Sequence, residues 1–429
     1  MKKLKYVVLI VLLAVFLSSC TSTKPFVSDV TLSDTLTLEE KLEYYGGRYV
    51  SVDLPEMYFT GDEWYERMME LIEDAEDYIL LSTFLGSSSP TLEPLYNLLI
   101  EKAQQGVEIY MIIDGSSNLD MTETKYVMTP LNYLRDYGIN LLIYQPMSFT
   151  HLVNPSSLIV RDHRKMMVID GRISAIGGMN INYISMGAGE KCQRDSMYVF
   201  SSPSLASMFI EEFVSIWNES SVDRIDGEIF LVDEETEEGD SSYNAWLFNR
   251  NVYEGGVSLS GMFGSLINEA SESLFICPYL PTVDSDMIES LRSAVERGVD
   301  TEIWCSIDSR GYARSGGAYT IDRLISGSGV EYYDVSNDSD GNALPMFHMK
   351  AMVVDDRYVV IGSSNFNFRS MTLSHELALV IDSPQMAERI KEAIREEAVN
   401  PVLVTEEDAE EEKKEHGSFL CYLFTYYGG

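Results

Sequence analysis

The chain has 429 residues, 45% of them hydrophobic and 11% aromatic, which suits two or three folded domains and excludes a disordered polymer. Its formal charge of −37, from 31 basic and 68 acidic side chains, argues against duplex nucleic acid as a partner, because affinity for phosphate backbones comes mainly from Lys and Arg. A local basic pocket is still compatible with that total.

At the N-terminus, Lys2, Lys3 and Lys5 precede an unbroken apolar run from Val7 to Phe16, and Leu17-Ser18-Ser19-Cys20 follows with small residues. Positive charge, apolar core and small-residue site are the parts of a secretory signal. The ending resembles the bacterial lipobox, which implies lipidation of Cys20 after removal of residues 1–20. An uncleaved membrane anchor is the alternative, although the run is short for a span. Residues 21–55 read as a polar tether and lead-in. The expected location is the bacterial envelope outside the cytoplasm, lipid-anchored, at the outer membrane or periplasm. Cys192, Cys277, Cys305 and Cys421 match no metal-site spacing, so no metal is expected.

Two similar stretches follow. The first runs LIEDAEDYILLSTFL and then LEPLYNLLIEKAQQGVEIYMIID; the second runs LINEASESLFICPYL and then MIESLRSAVERGVDTEIWCSID. Each predicts helix, strand, helix closed by Gly106 or Gly298, and strand. A further helix and strand are expected over Leu131–Tyr144 and Ile321–Asp334. Strand–helix–strand units imply a mixed, mostly parallel sheet flanked by helices, and the duplication implies an α/β chain of two pseudo-symmetric domains. Residues 56–222 form the expected first domain and 243–400 the second. An acidic linker over 223–242 separates them (VDEETEEGDSS), and an acidic and aromatic tail covers 401–429. Phe209, Phe213 and Trp217 have helical spacing and are expected to dock a helix on the sheet. The final FLCYLFTYY is expected to be a strand or core plug, with a membrane-surface contact as the alternative.

Each copy then carries the same constellation. His163 has Lys165 at +2, Asp170 at +7 and Asn180 at +17; His348 has Lys350, Asp355 and Asn365 at the same offsets. His, Lys and Asp in that spacing arise by chance about once in 400 histidines, and here the pattern occurs twice at equivalent points. Side chains two apart on an extended strand share a face, so each His points the same way as its Lys. Asp170-Gly171 is a turn signal, and Asp355-Asp356 sits at the matching place. Two such hairpins facing each other put imidazoles, ammoniums and amides around one pocket. That set suits a phosphodiester: cations and amides hold the non-bridging oxygens, and imidazoles carry covalent and proton transfer. Met166, Met167 and Met352 are expected in the strand core, and His151, His375 and His416 outside the chemistry.

DHRKMMVIDGRISAIGGMNI and HMKAMVVDDRYVVIGSSNFNFRS resemble the phospholipase D superfamily, most closely its bacterial cardiolipin synthases and related lipoproteins. The resemblance implies an active site at the domain interface. It implies His163 as nucleophile, forming a phosphohistidine, and His348 as the acid and then base. Lys165, Lys350, Asn180, Asn365 and Ser363 would bind phosphate. In this family an acid downstream of each histidine orients its imidazole, and Asp195 and Glu376 match those positions. Asp170 and Asp355 would be structural. Gly178 stands where Ser is usual. No cofactor is implied.

The expected reaction is phosphatidyl transfer or phospholipase D hydrolysis on a phospholipid at a membrane surface, by a monomer and without nucleic acid. Two alternatives remain: an extracytoplasmic nuclease or phosphodiesterase of the same superfamily, and a non-catalytic envelope binding lipoprotein.

Overall fold

A computed structural model describes residues 35–119, 131–146, 159–187, 193–232, 243–254, 256–307 and 311–427. The signal segment with Cys20, His151, Cys192 and the acidic run 233–242 lie outside the described residues. The chain opens with α1 (Leu38–Tyr44), started by a capping box at Thr37, and β1 (Arg48–Val52). The first repeat contributes β2 (Glu56–Thr60), α2 (Gly61–Asp74), β3 (Tyr78–Thr83), α3 (Glu93–Gln105), β4 (Glu108–Asp114) and β5 (Asn140–Tyr144). It continues with β6 (Arg161–Asp162), β7 (Met166–Ile169), β8 (Ile173–Gly177), α4 (Tyr183–Met186), β9 (Arg194–Ser201) and α5 (Pro203–Ser220). The second supplies β10 (Tyr243–Arg250), α6 (Ser258–Glu269), β11 (Ser273–Cys277), α7 (Ser285–Glu296), β12 (Asp300–Cys305), α8 (Gly311–Ser328) and β13 (Glu331–Asp334). Then come β14 (Ala351–Val354), β15 (Tyr358–Gly362), α9 (Phe368–Thr372), β16 (Ser374–Asp382), α10 (Pro384–Ala398), β17 (Val402–Leu403), α11 (Glu406–His416) and α12 (Phe419–Tyr427).

The first sheet has the order β2-β9-β8-β7-β3-β4-β5 and the second β1-β10-β16-β15-β14-β11-β12-β13-β17. The duplication is visible in that order: β9-β8-β7-β3-β4-β5 repeats as β16-β15-β14-β11-β12-β13. The sheets are mixed, as the repeats predict. The strand–helix–strand part (β3, β4, β5 and β11, β12, β13) pairs in parallel, because its crossovers pass over one face. The histidine hairpins pair antiparallel, because a tight turn joins β7 to β8 and β14 to β15. Antiparallel pairings are therefore the majority, so the sheets are mixed but not mostly parallel as the helix–strand alternation suggests.

Periodicity explains the helix layers. On α2, Trp64, Met68, Leu71 and Ile72 are buried together, one stripe at helical spacing. Gly106 ends α3 at φ +104, a left-handed stop open to glycine. Outer helices α2 and α3 cover one side of the first sheet. Helices α6 and α7, with Ile321 and Leu324 of α8, cover one side of the second. Between the sheets lies a shared core, where Phe209, Phe213 and Ile216 of α5 and Met386, Ile390 and Ile394 of α10 meet residues from both. Phe209, Phe213 and Trp217 thus occupy a buried helix face. Met166, Met167 and Met352 are buried strand residues.

Three boundaries differ from the sequence reading. β1 pairs antiparallel with β10, so the lead-in segment supplies a strand to the second sheet, with Val50 and Val52 buried. The stretch before 233 packs on the first sheet: Phe230 is buried, and the Tyr78 hydroxyl donates to its carbonyl. The described part of the tail, 401–427, is folded. β17 extends the second sheet, and α11 and α12 both pack on α8. Helix, not strand, is the state of Phe419–Tyr427, because Thr425 fits against Gly316 of α8, where a Cβ would lie 2.5 Å from its Oγ1. No helix among the described residues is long and apolar enough to cross a membrane.

Candidate active site

The histidine hairpins are built alike. Asp170 and Gly171 both hold positive φ (+50 and +63), as do Asp355 and Asp356 (+51 and +49), the backbone of a two-residue turn matched to strand twist. The Asp170 carboxylate accepts from the backbone N–H groups of Glu76, Asp77 and Tyr78 at 2.8, 2.9 and 2.8 Å. Asp355 does the same for Ser271, Glu272 and Ser273 at 2.9, 2.8 and 2.9 Å. Both acids sit at the far end of the strand from the histidines. There they tie the turn to the start of β3 or β11, a structural task.

At the other end, each His–Lys pair precedes its strand in extended backbone. Lys165 Nζ donates to the His163 carbonyl at 2.5 Å. Lys350 Nζ donates to the His348 carbonyl and lies 2.8 Å from His348 Nδ1. Both histidines and both lysines are buried.

The carboxylates cross over. His163 Nδ1 lies 2.9 Å from Glu376 Oε1, and His348 Nδ1 lies 2.5 Å from Asp195 Oδ2. Each imidazole is therefore held by the acid of the opposite repeat, whereas the sequence order suggested the downstream acid of the same one. The backbone gives the reason. β6 pairs in parallel with the start of β16, and His163 N donates to His375 O at 3.0 Å. Equivalently, Phe347 bridges Arg194, and His348 N donates to Arg194 O at 2.7 Å. Each histidine is thus laid beside the strand that carries the other repeat's acid. With Nδ1 facing a carboxylate, the Nδ1–H tautomer leaves Nε2 with a free lone pair.

The two acids have different neighbours. Ser363 Oγ donates to Glu376 Oε2 at 2.5 Å and accepts from Leu377 N at 3.1 Å. In this arrangement the Ser363 hydroxyl supports the acid that holds His163. Opposite Asp195 stands Gly178, where an added Cβ would lie 2.2 Å from Asp195 Oδ1. The shorter acid and the missing side chain fill one space.

Burial governs the charges. It holds His163 well below the ordinary imidazole value, with Lys165, Arg369, Lys350 and His348 adding to the effect. Burial and then Lys350 bring His348 down to about 4. Both rings are neutral near pH 7. Burial brings Lys165 down to about 7 and Lys350 to about 8. Glu376 is pushed up to about 7 by burial, against Lys165 and Ser363. Burial also pushes Asp195 up, but Lys350 and His348 outweigh it and hold that carboxyl below its usual range.

Asn180 accepts from Leu85 N at 3.1 Å through Oδ1. The backbone N–H of Asn365 donates to Ser370 Oγ at 3.2 Å. Both are buried.

Several site residues carried no sequence signal of their own. Phe84 packs edge-on to His163 at 4.9 Å, and Tyr279 lies 4.0 Å from His348, centroid to centroid. They close the repeated STFL and CPYL segments, so repeat alignment alone contained them. Tyr279 and Leu280 take positive φ (+28 and +57), which bends the chain so that this ring meets the imidazole. Arg194 donates to three carbonyls, Pro345 at 2.8, Glu397 at 2.5 and Val335 at 2.7 Å, and so clamps the segment leading to His348. Ahead of His163, buried Asp114 accepts from Asp162 N at 2.9 Å, and Arg164 grips Asp162 through two bonds of 2.8 and 3.0 Å. His375 bonds the Tyr144 hydroxyl at 2.9 Å. Among the described residues no group of three or more His, Cys, Asp or Glu has the arrangement of a metal site.

A family model described as cardiolipin synthase, PLD-like domain, matches residues 68–217 and 264–397. The minor cardiolipin synthase ClsB of Bacillus subtilis is 24% identical over 373 residues, spanning 82% of this chain and 83% of that protein. A cardiolipin synthase of Alkalihalophilus pseudofirmus is 26% identical over 337 residues, 74% of this chain and 60% of its own length. The phosphatidylserine synthase structure from Haemophilus influenzae superposes with a TM-score of 0.69 at 15% identity, covering 93% of this chain and 100% of that one. That last likeness is one of fold.

Proposed function

Because the chain belongs to the cardiolipin synthase family of PLD-like domains, with one matched segment in each repeat, we propose that it is a phosphatidyltransferase acting on phosphatidylglycerol through a phosphohistidine. The observation that carries this reading is the crossed pairing of His163 with Glu376 and His348 with Asp195, which ties one imidazole from each repeat to a single buried, lysine-lined site.

In the first half-reaction, His163 Nε2 attacks phosphorus. The new P–N bond forms as the bond to the glycerol oxygen breaks, and His348 gives that oxygen its proton. The incoming phosphodiester supplies the negative charge that raises His348 from its low value in the empty site, so that it loads this proton on binding. In the second half, the hydroxyl of another phosphatidylglycerol loses its proton to His348, its oxygen attacks phosphorus, and the P–N bond breaks. Products are cardiolipin and glycerol; His163 is freed, and the proton that His348 loaded on binding is released to solvent as product leaves. The covalent intermediate conserves the phosphoester bond energy, so no activated nucleotide is needed. Lys165, Lys350, Asn180 and Asn365 would hold the phosphate oxygens. The reading extends to location: an envelope membrane, with the chain anchored through lipidated Cys20.

Purified protein in phosphatidylglycerol vesicles should release glycerol and accumulate cardiolipin, and His163→Ala should do neither. Failure of the wild-type chain to turn over any phospholipid, or full turnover by the His163→Ala protein, rules the proposal out.

A further inference from the structure

Helix α12 (FLCYLFTYY) carries no charged side chain in a strongly acidic protein, yet the catalytic reading gives it no task. One face is fixed to the body. Thr425 is buried against Gly316, Tyr422 stacks on Tyr319 at 5.3 Å, and Tyr426 stacks on Phe368 at 4.3 Å. The other face is open: Leu420 and Phe424 are 51% and 46% exposed, Phe419, at the edge with its ring 5.5 Å from that of Tyr319, is 52% exposed, and Tyr312 of α8, edge-on to Phe424 at 5.0 Å, is 53% exposed.

This face adjoins the site. Phe368, held by Tyr426, is followed by buried Arg369, whose charge acts on both His163 and Glu376. Tyr312 in turn lies within electrostatic reach of Arg369. Phe368 and Arg369, adjacent in sequence, therefore join the exposed aromatic helix to the charges of the site. The tether arrives in the same layer, since α1 packs on α6, α6 on α9, and α9 on α12. Fourteen residues separate Cys20 from Thr35, a reach of at most about 50 Å when fully extended.

We propose that α12 and Tyr312 form the surface by which this protein sits on a phospholipid bilayer, with Phe419, Leu420 and Phe424 entering the headgroup–acyl boundary. The inference rests on the phospholipid reading above and deepens it. A buried phosphate site must receive a headgroup whose acyl chains stay in an apolar phase. An uncharged aromatic helix beside that site supplies the contact, because aromatic and leucine side chains favour the interface, whereas the acidic remainder of the surface gains nothing from anionic lipid.

The test uses the full chain on vesicles of phosphatidylethanolamine and phosphatidylglycerol. An environment-sensitive dye is attached at Leu420→Cys in a Cys421→Ser background, and in a second protein at Glu407→Cys, on exposed α11. The dye at 420 should shift to the blue on vesicle addition and be quenched by spin labels in the acyl chains, while the dye at 407 stays in water. In parallel, the variant Phe419→Ser, Leu420→Ser, Phe424→Ser should lose about tenfold or more in vesicle turnover, since three partly exposed apolar contacts are removed. Its hydrolysis of a short-chain, water-soluble phosphodiester should stay within about twofold of wild type. An unquenched, unshifted dye at 420 on vesicles overturns the proposal, as does wild-type vesicle turnover by the triple serine variant. A quenched dye at 420 without any lipid turnover instead refutes the phosphatidyltransferase reading and leaves the bilayer contact standing.

Discussion

Both lysines donate to the carbonyl of their own histidine, but at His348 the ammonium also crowds the ring nitrogen that faces the carboxylate. The two rings should therefore fail differently. His163→Ala should abolish covalent labelling by any phosphodiester. His348→Ala should slow turnover yet let a phosphohistidine accumulate from a substrate whose leaving group needs no proton, read by acid-quenched labelling. Equal loss of labelling in both variants contradicts that division of roles. The lysines predict a pH dependence. Lysine is charged below its pKa, so raising pH through about 7 for Lys165 and about 8 for Lys350 strips positive charge from the empty site. A bound phosphodiester favours the charged form. The expected result is that kcat/KM falls above about pH 7, and more steeply above about pH 8, while kcat holds to higher pH. Parallel decline of both would exclude the lysines as the cause. The motif residues were legible in the sequence because their spacing repeats. Which acid serves which imidazole was not, because linear order does not say which repeat's strand lies beside which histidine. Ser363 is a related case: its place in the motif is clear, but its contact with an acid thirteen positions away is not readable from spacing.

Among the elements, the histidine hairpin depends on its turn. Asp170 serves three N–H donors, of which only that of Tyr78 is partly buried, so removing the acceptor costs about 1 kcal/mol. Asp170→Ala should lower the denaturation midpoint accordingly, with turnover per folded molecule largely kept. Loss of all turnover in a still-folded Asp170→Ala protein would show a role in the chemistry itself. Arg194 belongs to the opposite case. Its three carbonyl bonds fix the segment leading to His348, so Arg194→Met should slow substrates with poor leaving groups more than those with good ones. A uniform loss across leaving groups would mean the clamp does not act through the acid. Helix and strand identity was readable wherever apolar residues recur with a period, as on α2. It failed for Phe419–Tyr427, where nearly every residue is apolar and no period distinguishes the two states; the fit of Thr425 to Gly316 decides it.

For the whole molecule, β1 is the strand that the sequence hid. Five residues in a polar lead-in give weak signal, and their partner β10 lies nearly two hundred positions downstream. The pairing has a mechanical consequence. A chain cut between residues 232 and 243 should stay associated, because its N-terminal piece still donates β1 to the second sheet and the core between the sheets is shared. The nicked protein should co-elute as one species on size exclusion and keep its activity; separation into two inactive fragments without denaturant would show that these contacts are weaker than their burial implies.

The fit between Gly178 and Asp195 bears on how such a chain tolerates drift. Acid length and turn residue are matched inside one repeat, aspartate with glycine and glutamate with serine, while each acid is lent to the neighbour's ring. A lineage can therefore exchange one matched couple for the other without waiting for a change in the sister repeat. Exchanging only half of a couple is what selection should remove: Gly178→Ser by itself would drive a hydroxymethyl group into the carboxylate that His348 relies on.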